Sequence, residues 1–98
     1  MTIDKRKNGT EMLMVISGRM DTSTSPQFES EIKESLENIE NLILDFENLE
    51  YISSAGLRVI LAAQKIMNKQ GKMVIRNVNE VVSEVFEITG FVDILTIE

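Results

Sequence analysis

Short apolar runs of strand length alternate with stretches that carry an apolar residue every three or four positions, and this alternation predicts an α/β fold. Two further observations shape it. An Asn8-Gly9 pair between the first two runs predicts a hairpin, and so one antiparallel strand pair. Helical stretches separate the later runs, which calls for parallel pairing through right-handed crossovers. The outcome is a mixed sheet in a single domain, since 98 residues accommodate one hydrophobic core.

Residues 2–7 give a weak first strand ahead of the hairpin. Met12, Leu13, Met14, Val15 and Ile16 form a continuous apolar run within 11–17, ending at Gly18. A helix opens next. Thr24 and Gln27 have the spacing of a capping box, and Pro26 falls in the first turn, where a missing N–H costs nothing. Phe28, Ile32, Leu36 and Ile39 recur at intervals of four and three, so one face packs while the glutamates and lysines between them stay in water. Residues 42–46 (Leu-Ile-Leu-Asp-Phe) read as a central strand, apolar on both faces apart from Asp45, a solvated strand end. Residues 47–53 read as a loop, followed by a helix over 54–69 that Gly71 stops. A strand over 72–76 comes next, then a third helix over 80–89 closed by Gly90, and a last strand over 92–97. The six methionines read as core filler.

Parallel pairing of 11–17 with 42–46 brings the loops 18–23 and 47–53 to the same end of the sheet. Arg19, Asp21, Ser53 and Ser54 gather there, at the edge where open α/β sheets usually bind ligands and partners.

Composition narrows the function. The chain has no cysteine, hence no disulfide framework or thiolate metal site, and no histidine, the commonest general base and zinc ligand. It has no glycine-rich phosphate loop and no paired carboxylates on an obvious cleft, so neither an enzyme nor a cofactor is expected. Sixteen acidic against 10 basic residues give a formal net charge of −6, which argues against direct nucleic acid binding. Residues 1–8 are charged and lack an apolar core, unlike a signal peptide, and no apolar run approaches bilayer length. The expectation is a cytoplasmic protein without membrane insertion.

The informative segment is Tyr51-Ile52-Ser53-Ser54-Ala55-Gly56-Leu57-Arg58-Val59. A serine pair opens a helix, with Ser54 expected at the N-cap and small residues in the first turn. Glycine in a helix costs ~1 kcal/mol relative to alanine, so Gly56 implies a close approach by backbone or by a partner. Two readings of Ser54 stand side by side. It is an ordinary cap, or it is a phosphate acceptor at the positive end of the helix dipole, with Arg58 one turn on leaning toward the anion. Asp21 likewise reads either as a turn residue or as part of a binding loop. Val59 and Ala62 offer a partner patch, against the alternative that this helix packs on two sides.

This segment resembles the signature of the STAS domain family, in which an apolar-apolar-Asp-Ser-Ser/Thr/Ala-Gly-Leu stretch holds the regulatory serine. Ile16-Ser17-Gly18-Arg19-Met20-Asp21 is similar to the family's Gly-x-Leu/Ile-Asp turn, Leu42 to Leu49 to its central strand, and Phe86 to Phe91 to its helix-Gly-Leu ending. The resemblance implies a STAS-like α/β domain over 1–98, its mixed sheet carrying helices mainly on one side. Its stand-alone bacterial members are anti-sigma factor antagonists. By that likeness, Ser54 is the phosphorylation site and Asp21 lies in the neighbouring interaction loop; together with Ser53, Gly56, Arg58, Val59 and Ala62, singled out above, they are the expected partner-binding surface. The implied partners are an anti-sigma factor with serine kinase activity and a PP2C-type phosphatase. One position departs from the family: Ser53 stands where Asp is frequent. The competing reading is a non-phosphorylated STAS docking subunit of a transporter or signalling complex.

Overall fold

A computed structural model describes residues 1–98. Its order is β1 (Thr2–Asn8), β2 (Glu11–Met20), α1 (Ser25–Ser35), β3 (Asn41–Asp45), β4 (Leu49–Ile52), α2 (Ser54–Gln70), β5 (Lys72–Arg76), α3 (Glu80–Thr89) and a 3-10 turn at Phe91–Asp93. The sheet is mixed. Its main path runs β1-β2-β3-β5, with β1 antiparallel to β2 and the other pairs parallel. The expected interior position of 42–46 is therefore met by β3.

Register makes one face of the sheet the core. Met12 lies beside Leu42 and Leu42 beside Met73, while Met14 lies beside Leu44 and Leu44 beside Ile75. All six are buried, whereas Leu13, Val15, Ile43 and Val74 on the other face are half-buried. Alternation at period two thus separates the faces. Helices α1 and α2 pack side by side on the buried face. Phe28, Ile32 and Leu36 of the α1 stripe are fully enclosed, as is Ile39 just beyond it. At the edge, β1 carries Lys5, Arg6 and Lys7, charges that discourage further strand pairing.

Three expectations need correction. First, residues 47–53 are not simply a loop. Gly18, with φ of +100°, lets β2 shift register and continue to Met20, and this extension pairs in parallel with β4, Arg19 beside Tyr51 and Met20 beside Ile52. Second, no strand covers 92–97. Tight turns through 90–95 (Asp93 N–H to Gly90 C=O, Leu95 N–H to Phe91 C=O) consume that segment, and only one bridge remains, Ile97 beside Ile75. Third, the capping box does not form. The Thr24 side chain makes no cap bond, because its hydroxyl is engaged within the preceding loop.

Candidate functional site

The two loops foreseen at one end of the sheet do meet. Ser53 N–H donates to Met20 C=O (2.8 Å), and Gly18 N–H donates to Asn48 C=O (3.0 Å). Asp21 organises the first of them. Its Oδ1 accepts from the Ser23 hydroxyl (2.8 Å), Ser23 N–H (3.0 Å) and Thr24 N–H (3.1 Å). Its own N–H donates to the Thr24 hydroxyl oxygen (2.9 Å), whose proton goes to Arg19 C=O (2.7 Å). The Asp21 C=O then accepts from the Ser25 hydroxyl (2.6 Å) and Ser25 N–H (2.9 Å), fixing the entry to α1. The Ser23 hydroxyl, followed by the Thr24 amide, holds the Asp21 carboxyl below its ordinary value despite a smaller opposing effect of burial. Asp21 is thus an ionised, pre-set turn residue.

The serine pair is arranged differently from the sequence expectation. Ser53, not Ser54, is the N-cap. Its backbone is extended (φ −99°, ψ 175°), and its hydroxyl oxygen accepts from Gly56 N–H at 3.4 Å. Ser53 C=O accepts from Leu57 N–H, as an N-cap carbonyl does. Ser54 is the first helical residue; it is exposed, and its hydroxyl has no hydrogen-bond partner. The cap satisfies Gly56 N–H and leaves the first-turn amides of Ser54 and Ala55 unpaired.

Gly56 and Val59, expected at the partner surface, are buried. A Cβ on Gly56 would stand 2.8 Å from the Met20 side chain and 2.9 Å from Ile52, so the close approach is internal: α2 sits down on the ends of β2 and β4. Val59 is 5% exposed because α2 packs against α1 as well as the sheet. Arg58 and Ala62 are exposed, and Arg58 makes no ion pair. A shallow groove between the first turns of α1 and α2 is lined by Thr22, Ser25, Glu29, Ala55, Arg58 and the edge of Val59. Sequence reasoning missed this groove, as well as the guanidinium of Arg19 lying 4.5 Å over the Tyr51 ring. The Arg19–Tyr51 contact depends on β4, whose partner is the part of β2 beyond the register shift at Gly18. No group of side chains is arranged to hold a metal ion, and no helix is long and apolar enough to cross a membrane.

Residues 2–98 match the STAS domain. BtrV of Bordetella bronchiseptica, assigned as an anti-sigma factor antagonist, is 35% identical over 88 residues, 88% of this chain and 76% of that protein. The anti-sigma F factor antagonist of Paenibacillus polymyxa is 30% identical over 89 residues, 88% of this chain and 76% of its own length. Among solved structures, the anti-sigma factor antagonist SpoIIAA in its unphosphorylated form superposes with a TM-score of 0.84 at 17% identity, covering 99% of this chain and 88% of that one. Bacillus SpoIIAA in its phosphorylated form gives 0.76 at 16% identity, covering 99% and 91%. These two likenesses speak to the fold.

Proposed function

The chain belongs to the STAS domain family, and from that premise we propose that it is an anti-sigma factor antagonist switched by phosphorylation of Ser54. Unphosphorylated, it presents Asp21, Ser53, Ser54, Arg58 and Ala62 to an anti-sigma factor that is also a serine kinase, and so frees a sigma factor. The kinase moves the γ-phosphoryl group of ATP onto the Ser54 oxygen, with ADP leaving, and the contact is lost. A PP2C-type phosphatase hydrolyses the ester and restores binding.

The observation that carries the choice of serine is the division of work between neighbours. The Ser53 oxygen is occupied as a helix cap, while the Ser54 hydroxyl is exposed and unbonded. Two unpaired amides open the same helical turn, and Arg58, one turn on from Ser54, is exposed and makes no ion pair, chemistry that suits a phosphate there. Ser53 in place of the frequent Asp fits the same picture. Asp and Ser are equally good N-caps, so the substitution keeps the helix start and removes a carboxylate beside the incoming phosphate. The lost carboxylate also favours the competing docking-subunit reading. Incubation with the cognate kinase and ATP separates them. One phosphate localised to Ser54 by peptide fragmentation, and absent in Ser54→Ala, is the expected result. No phosphate under any condition supports the docking subunit, and phosphate on Ser53 alone overturns the site.

A further inference from the structure

The four large hydrophobic side chains that are exposed in this molecule all fall between residues 81 and 94: Val81 (53%), Ile88 (84%), Val92 (45%) and Ile94 (50%). On α3 they follow a pattern. Val82 and Phe86 face inward and are buried, and Asn79 anchors the start of the helix, donating to Leu49 C=O at 2.7 Å and capping Val82 N–H. Val81, half-buried Val85 and Ile88 form a second stripe at positions i, i+4 and i+7. Glu80, Glu84 and Glu87 form a third at the same spacing, each one residue ahead of its apolar neighbour, and all are exposed. None is in an ion pair, and residues 80–94 contain no lysine or arginine.

We infer that the outer flank of α3, with the turn that follows it, is a docking surface for a cationic amphipathic helix of a partner protein, separate from the Ser54 switch and beyond it. Such a helix buries its apolar face on Val81, Val85 and Ile88 while its lysines or arginines meet the glutamate row. Charge selects this occupant over others. A second copy would set two unpaired acidic rows against each other, and an anionic membrane surface would repel the same row.

The test titrates the full chain with a synthetic leucine/lysine amphipathic helix and follows amide chemical shifts. Controls are the same composition scrambled to break the apolar stripe, a leucine/glutamate helix, and anionic phospholipid vesicles. Expected are shifts confined to α3 and 91–94, and affinity that falls with added salt. Affinity should fall about tenfold in Ile88→Gln, where a buried contact is lost, and again in Glu84→Lys/Glu87→Lys. These side chains are exposed, so the variants fold, and unchanged thermal melts verify that. Equal binding of the scrambled helix, shifts outside α3 and 91–94, vesicle binding, or a dimer formed through Ile88 would each overturn the inference.

Discussion

Ser53 and Ser54 are adjacent and chemically identical, yet one backbone step gives them opposite duties. Ser53 has extended dihedrals and turns its oxygen onto Gly56 N–H, while Ser54 is already helical and turns its own outward. Stability measurements should therefore tell them apart. Ser53→Ala loses the cap and should cost about 0.5–1 kcal/mol in urea unfolding, the lower part of the range because the bond is long. Ser54→Ala, at an exposed site, should stay within about 0.5 kcal/mol of the parent. Equal losses would contradict the assignment of the cap. Asp21 gives a second test at this scale. Its folded value is depressed, so its contribution to stability is present above the ordinary carboxylate value and is lost as pH falls through the folded one. Because the Ser23 hydroxyl is the largest cause, Ser23→Ala should raise the Asp21 midpoint in a carboxyl NMR titration. An unmoved midpoint would show that the loop is held in some other way.

Elements with both periodicity and punctuation were legible in the sequence. Residues 80–89 are helical as expected, because Asn79 caps one end and Gly90, with φ of +79°, closes the other. Strand β4 was not legible: it has four residues, and its partner is the far side of the register shift at Gly18, which no local pattern reveals. The last strand failed for the opposite reason, since apolar residues in 92–97 imitate a strand while the turns behind Gly90 bind the backbone. Gly71 stops α2 as expected, but without a left-handed backbone. Its φ is 171°, ordinary extended backbone, and its need for glycine comes from the Glu40 carbonyl, which an added Cβ would overlap. Neither side can retreat, because Lys72 N–H donates to that carbonyl (2.8 Å) and Gly71 N–H to Met67 C=O (2.7 Å). Gly71→Ala should cost about 3 kcal/mol in urea unfolding; a loss below about 1 kcal/mol would mean the junction of α2 and β5 is looser than described.

For the whole molecule, topology made the site legible before its geometry was. Parallel pairing of β2 with β3 was enough to bring Asp21 and the serine pair to one end of the sheet, with the helices mainly over one face. Which serine caps, and which side chains α2 buries, needed three-dimensional packing. On the proposed reading, a phosphate on Ser54 would act at the interface and not on the fold, because a helix N-terminus accommodates an anion. A kinase pocket that receives a neutral hydroxyl beside its own nucleotide phosphates would instead meet like charge. Two unit charges about 4 Å apart at an effective dielectric near 20 repel by about 4 kcal/mol, and even ~3 kcal/mol is roughly a hundredfold in affinity.

Titration calorimetry of the cognate anti-sigma factor with unphosphorylated and fully Ser54-phosphorylated protein, alongside thermal melts of both forms, tests this most directly. The phosphate should lower affinity about a hundredfold, with a nearly unchanged melting temperature. Equal affinity of the two forms, or loss of binding accompanied by unfolding, would contradict it.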